Sequence, residues 1–198
     1  MASPASIDDL KKILSSRLKG AGFSWAVAGG WAIDLFLNRQ TRTHKDVEIA
    51  VWRDQQALVR AHFALWEVAF MRAGASVSWS MDVALELPVH EIHARHPADD
   101  VQIEILLNER SDGHWIFRRA NAITRDAKRF MIKSSSGLSS VAPEVVLLYK
   151  ATNPTKSDIL DFETCLPHLE ADRVLWLRKA IASAYPNRPW LFDLAGAD

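Results

Sequence analysis

Two carboxylates, Asp46 and Glu48, open the run Asp-Val-Glu-Ile-Ala-Val, in which acidic and apolar residues alternate. Such alternation predicts a strand over 46–52, and side chains at i and i+2 of a strand share a face about 7 Å apart. Like charges held that close repel unless a cation lies between them. A hard divalent ion, Mg2+ above all, takes one or two protein carboxylates together with phosphate oxygens. Upstream, Gly29-Gly30 follows the apolar run 23–28 and precedes a helical stretch. Glycines at a helix start leave bare backbone N–H groups at a positive helix end, where phosphate docks. One short segment therefore offers a metal clamp and a phosphate cradle.

The pattern Gly29-Gly30-Trp31, Asp34, then Thr41-Arg42-x-His44-x-Asp46-x-Glu48 resembles the polymerase β-like nucleotidyltransferase superfamily. Its signature is a Gly-Gly or Gly-Ser turn followed, after a short helix, by Asp-hydrophobic-Asp/Glu. Within it the run is most similar to the aminoglycoside 2″-adenylyltransferases and lincosamide nucleotidyltransferases. The likeness is dense over 23–52 and sparse elsewhere, and Glu48 stands where many relatives carry Asp. It implies an α/β (α+β) nucleotidyltransferase fold, a small mixed sheet flanked by helices with a C-terminal helical segment. It implies Mg2+ as cofactor, a nucleoside triphosphate as donor, and transfer of NMP, AMP from ATP first, to a hydroxyl of a small molecule. An antibiotic of aminoglycoside or lincosamide type is the implied acceptor. Two rivals stay open: transfer to tRNA or protein, as in an antitoxin, and an inactive nucleotide-binding module of the same fold.

Metal-assisted transfer asks for a third acid that binds metal or accepts the acceptor's proton. Glu104, between Ile103 and Ile105, is the best candidate, because an acid inside an apolar strand needs a reason to be there. Asp82, Glu86, Glu91 and Glu109 compete, with Glu109 the nearest rival. The resemblance gives this acid the role of general base. Asp46, Glu48 and Glu104 thus form the expected catalytic and metal-binding set. Gly29 and Gly30 are expected near the triphosphate, with Arg42 and His44 touching phosphate or orienting Asp46. Trp31 and Asp34 read as architectural. Lys150, ending the apolar stretch from Pro143, is expected either to reach a β- or γ-phosphate or to snorkel at a helix end. Lys156, Asp158 and Asp161 read as caps and braces of the next helix.

Two stretches look functional but have simpler readings. His90-Glu-Ile-His93-Ala-Arg-His96 matches neither a His-Glu-x-x-His nor a zinc-finger spacing, and a partly exposed edge is expected there, with the lining of an acceptor pocket as the alternative. Residues 118–133 hold Arg118, Arg119, Arg125, Lys128, Arg129 and Lys133 against Asp126. That run is a solvated face or the lining of an ATP entry.

The positioning elements follow from periodicity and caps. Ser6 with Asp9 caps a helix over 6–18; strands are expected at 23–28, 46–52, 66–71 and 101–107, and a helix at 30–38. Asp54 caps a helix to about Leu65, 77–93 gives no clear pattern, and short strands follow near 115–119 and 129–132. Ser134–Ser140 reads as a linker, and helices follow at 143–152, 157–165 and 169–184. The outline is a core over 1–135 and a helical segment over 141–198.

Composition narrows the partners. The chain has 198 residues, 48% of them hydrophobic and eight of them Trp, ample for a packed core. Twenty-four basic residues balance 24 acidic ones, which argues against a long nucleic acid as partner. A single cysteine, Cys165, allows no intrachain disulfide. No apolar run approaches a membrane span, so no membrane partner and a cytoplasmic setting are expected.

Overall fold

The structure is a computed structural model that describes residues 4–99 and 101–195. The chain opens with helix α1 (Ile7–Arg17), where Ser6 Oγ accepts the Asp9 amide at 3.1 Å and donates to Asp9 Oδ2 at 2.9 Å. Strand β1 (Trp25–Val27), helix α2 (Gly29–Leu37) and strand β2 (Glu48–Trp52) follow. Next come α3 (Gln56–His62), β3 (Glu67–Arg72), β4 (Ala75–Ser78), β5 (Glu91–Arg95) and the long β6 (Gln102–Ser111). A hairpin of β7 (His114–Ile116) and β8 (Thr124–Asp126) leads through α4 (Ala127–Phe130) to β9 (Met131–Lys133) and β10 (Ser139–Val141). Helices α5 (Pro143–Lys150), α6 (Lys156–Cys165), α7 (Ala171–Ala184) and α8 (Trp190–Ala195) follow.

The sheet is mixed, in the order β4-β3-β5-β6-β2-β1-β10-β9, with β7 and β8 added to the far half of β6. Among the described residues only β1/β10 and β2/β6 run parallel; the other pairs are antiparallel. Period-2 alternation sorts side chains between two cores, one on each face. Ile49 and Val51 of β2 join Ile103, Ile105 and Leu107 of β6 beneath α1 and α3. Ala50 and Trp52 join α5 and α7 on the other side, in a cluster that also takes in Ala26, Phe130 and Val141. Burying each such Ile or Leu contributes about 1.5–3 kcal/mol, so the face each residue takes is firmly set. Glu104, alternating with those apolar residues, must point to the α5 face. Among the described residues no helix is long and apolar enough to cross a membrane.

Several local expectations shift. Strand β2 starts at Glu48, leaving Asp46 exposed in the loop before it, although the Val47 carbonyl already accepts the Glu104 amide at 2.8 Å. A tight turn at 53–55 precedes α3, and Asp54 pairs with Arg110 at 2.8 Å instead of capping the helix. The serine-rich run is a hairpin turn, closed by Ser134 N donating to Leu138 O at 2.9 Å, and its end is strand β10. Strand β5 is interior, paired on both sides, where the histidine tract suggested an edge. Buried Ile92 and Ala94 fill the other face and hold it there.

Candidate functional site

Glu48 and Glu104 are direct partners in the parallel register of β2 and β6, and His93 of β5 stands opposite Glu104. A row Glu48–Glu104–His93 thus crosses three strands, each about 4.8 Å from the next. Asp46 reaches the row from the loop, close enough for its charge to raise the pKa of both glutamates. Burial is the largest cause in each case. It pushes Glu48, with help from Glu104 and against the pull of Lys150, up to about 7. Glu104 is raised by burial and then by Asp46, with His93 opposing.

Both glycines have a physical reason. Gly29 adopts φ +59°, and a Cβ there would collide with Glu48 Oε2. The first turn of α2 is therefore pressed onto the carboxylate, with no side chain between them. A Cβ on Gly30 would collide with the Arg42 guanidinium and the His44 ring. The second glycine thus lets the 41–44 loop lie across the helix start.

That loop is tied down by buried pairs. Asp34 accepts from the Thr41 amide at 3.0 Å and the Thr41 hydroxyl at 2.6 Å, and its second oxygen lies 2.5 Å from His44 Nε2. The His44 ring packs on Trp31 with centroids 4.4 Å apart. Arg42 donates both Nε and Nη2 to Asp161 of α6, at 2.7 and 2.8 Å. Asp161 is fully buried and also lies 3.0 Å from Lys150 Nζ, which pairs with Asp158 at 2.5 Å. Hydrogen bonding to Asp161 raises the pKa of Arg42, and the charge of Asp161 raises that of Lys150 against burial. Lys150 still lines the cavity beside Glu48.

Gly29, Glu48 and Lys150 line one cavity, Glu104 is the register partner of Glu48, and Asp46 acts on both glutamates through its charge; among the described residues the acids and histidine whose ligand atoms meet are Glu91, His93 and Glu104 instead of the expected Asp46, Glu48 and Glu104. The structure holds Arg42 and His44 in ion pairs behind them, and Gly30 beneath those two. The competing acids separate clearly. Glu109 pairs with Arg53, and Asp82 and Glu86 lie in an exposed loop. Glu91 does join the site: its Oε1 lies 2.7 Å from His93 Nε2, and Glu91, His93 and Glu104 bring ligand atoms within 4.8 Å of one another. The sequence carried a signal for this pair, since Glu91 and His93 alternate with Ile92 and Ala94. Arg118 also faces the site, in a cavity of about 270 Å³ whose lining includes Gly29, Glu48, Glu91, Arg118, Tyr149 and Lys150.

A mixed sheet that sets a glycine-started helix against paired acids is a nucleotidyltransferase architecture. The family described as Aminoglycoside-2''-adenylyltransferase matches residues 9–162. The chain belongs to that family and is a nucleotidyltransferase of the polymerase β-like fold. Among solved structures it is similar to ANT(2'')-Ia in complex with adenylyl-2''-tobramycin, with 17% identity and a TM-score of 0.60 over 90% of this chain and 99% of that one. It is similar to the lincomycin-bound lincosamide antibiotic adenylyltransferase LnuA, at 14% identity and TM-score 0.56 over 82% and 98% of the two chains. An antigenic nucleotidyltransferase-like protein from Paracoccidioides brasiliensis aligns at 17% identity and TM-score 0.50 over 99% and 96%. No curated protein matches the chain.

Proposed function

We propose that the chain transfers a nucleoside monophosphate, AMP from ATP, to a hydroxyl of a small molecule in a metal-dependent reaction. The observation that carries this reading is the register pairing of Glu48 with Glu104 beneath the Gly29 start of α2. The donor set fits a divalent ion. Asp46 acts by its charge on Glu48 and Glu104, and both glutamates are raised by burial and by like charge, which a cation would relieve. All three donors are hard oxygens, as Mg2+ prefers. Asp46, Glu48 and Glu104 would hold the ion. Bound there, it would neutralise charge on the triphosphate and on the transferring phosphoryl group.

The chain's own groups do the rest. The first amides of α2 and the Lys150 ammonium receive the β- and γ-phosphates. Glu104 takes the proton of the acceptor hydroxyl. The hydroxyl oxygen forms its bond to the α-phosphorus as the bond to pyrophosphate breaks, and pyrophosphate leaves toward Gly29 and Lys150. Arg42, His44, Asp34 and Asp161 position the loop that carries Asp46. In this reading the core over 1–135 supplies acids and cradle, and the segment over 141–198 supplies Lys150 and Asp161. The tobramycin and lincomycin chemistry of ANT(2'')-Ia and LnuA supports a polyhydroxylated, antibiotic-like acceptor.

Asp46→Asn tests the reading, because it removes one ligand charge and keeps shape. Pyrophosphate release would be measured with each NTP and Mg2+ against pooled aminoglycosides, lincosamides and tRNA. Transfer to a small molecule, falling about a hundredfold or more in the variant, is expected. Transfer to tRNA alone would move the chain to the macromolecular class. No transfer at all, with NTP and Mg2+ binding equal in both proteins, would make it a binding module.

A further inference from the structure

Glu104 stands between two sets of ligand groups. On its β2 side lies Glu48, with the charge of Asp46; on its β5 side the register puts His93 directly opposite. Glu91 shares the His93 face of β5 and brings its Oε1 within 2.7 Å of His93 Nε2. Among the described residues, Glu91, His93 and Glu104 are a group whose ligand atoms all lie within 4.8 Å of one another. The spacing of the 90–96 tract hides this set, because its third member comes from β6. The neighbouring histidines take no part: His90 Nδ1 lies 2.9 Å from the Pro88 carbonyl, and His96 lies 2.8 Å from Asp99.

The donor chemistry differs from that of the acids beside it. Asp46, Glu48 and Glu104 offer oxygen alone, as Mg2+ prefers. One imidazole nitrogen with two carboxylates suits a borderline ion, Zn2+ or Co2+, which takes three protein ligands and keeps a position for water. Ligand atoms around one tetrahedral Zn2+ stand about 3.4 Å apart. The Glu91–His93 contact is shorter than that, so the side chains open slightly around an ion that replaces the shared proton. Both are partly exposed, which leaves them room to turn and leaves water access to the ion. Charge points the same way, since Glu91 adds like charge at Glu104 that a cation between them relieves. We propose that Glu91, His93 and Glu104 form a second metal site, for a borderline divalent ion such as Zn2+, and that an ion bound there inhibits transfer. Glu104 is the shared member. A carboxylate that coordinates Zn2+ does not take the proton of the acceptor hydroxyl, and the imidazole favours Zn2+ over Mg2+ in the competition for it. The inhibitory half rests on the transfer reading above; the binding half stands on the geometry alone.

Zn2+ binding would be measured by calorimetry, and Co2+ binding by its visible absorption, on metal-stripped wild type, His93→Gln, Glu91→Gln and Asp46→Asn. One Co2+ with the bands of four- or five-fold coordination, displaced by Zn2+, is expected in wild type. Zn2+ affinity should fall about ten- to hundredfold or more in His93→Gln and Glu91→Gln, and much less in Asp46→Asn. Equal affinity in wild type and both β5 variants overturns the site. A loss greatest in Asp46→Asn overturns it too, by giving the ion to the Mg2+ set. Transfer from ATP–Mg2+ to tobramycin would be followed at buffered free Zn2+. Zn2+ should inhibit wild type, with the midpoint raised about tenfold or more in His93→Gln, each protein compared with its own Zn2+-free rate. Binding without inhibition overturns the inhibitory half. Absence of transfer to any acceptor in Zn2+-free wild type refutes the underlying reading instead, while the binding measurements still decide the site. Circular dichroism of each variant separates lost ligands from lost fold.

Discussion

Glu48→Gln should stabilise the metal-free protein, and by an amount that depends on pH. The Glu48 carboxyl is held at about 7 in the folded chain, against 4.5 for the free group, chiefly by burial and then by Glu104. Folding therefore favours its protonated form. The stability tied to that group is fully present below pH 4.5 and is lost as pH rises through 7. Linkage makes the loss under about 1 kcal/mol at pH 5 and about 3 kcal/mol at pH 8. Glutamine carries no charge at either pH. Relative to wild type the variant should gain little at pH 5 and about 2–3 kcal/mol at pH 8, or about 4–10 °C in Tm for a chain of this size.

The assay is thermal unfolding of both proteins at pH 5 and pH 8 in EDTA, repeated with millimolar Mg2+. Every other titrating group is common to both proteins, so the difference between the two curves reports Glu48 together with its coupling to Glu104. Mg2+ should raise the wild-type Tm at pH 8 and shift the variant much less, since a ligand that binds only the folded state stabilises it by mass action. A variant less stable than wild type at both pH values would refute the reasoning. Ionised Glu48 would then gain more from the α2 amides and Lys150 than burial costs it.

Three further outcomes follow from the same geometry. Gly29→Ala should cost at least about 1–2 kcal/mol from the left-handed backbone alone, and more from the collision with Glu48; unfolding in urea measures it, and a neutral result would mean that α2 does not press on the acid. Lys150→Ala should weaken ATP–Mg2+ binding by about 1–3 kcal/mol in calorimetry; unchanged affinity would leave Lys150 as a partner of Asp158 and Asp161 only. Glu104→Gln should abolish transfer while Glu109→Gln, which loses only the Arg53 pair, keeps kcat near wild type; the reverse order would give Glu109 the role of base.

What could be read from the sequence is what depends on local order. The Ser6–Asp9 cap, the glycine-started α2 and the apolar frame around Glu104 each declare themselves within a few residues. Where readings shifted, a distant partner decided. Asp46 leaves the strand although its alternation with Val47 and Glu48 fits one, because the loop before it is anchored by Arg42 to Asp161, 119 positions away, and by His44 to Asp34. Strand β10 hides in a serine-rich run because its serines carry no strand pattern of their own; it forms by a hairpin with β9 and by a parallel, long-range pairing with β1. The tract 90–96 looked like an edge because its outward residues are polar. Those residues are polar because they face the site, and β3 and β6 flank the strand on either side.

The same long-range pairs tie the C-terminal helices to the candidate site. Asp161 on α6 is a buried carboxylate shared by Arg42, from the loop that delivers Asp46, and Lys150, which lines the cavity beside Glu48. Removing one partner of a buried, hydrogen-bonded charge pair leaves the others uncompensated and typically costs about 3–5 kcal/mol. In Asp161→Asn two cations would lose their partner at once. Arg42 would lose its anchor on α6, freeing the loop, and Lys150 would keep only Asp158. The catalytic consequence should then exceed the loss of packing, because the loop carrying Asp46 and the cavity lysine both depend on one side chain that touches neither nucleotide nor acceptor. A fall in transfer rate, with ATP affinity reduced in step with that of Lys150→Ala, is the signature of a positioning residue. A variant that loses stability but retains wild-type kcat would confine Asp161 to holding α6 in place.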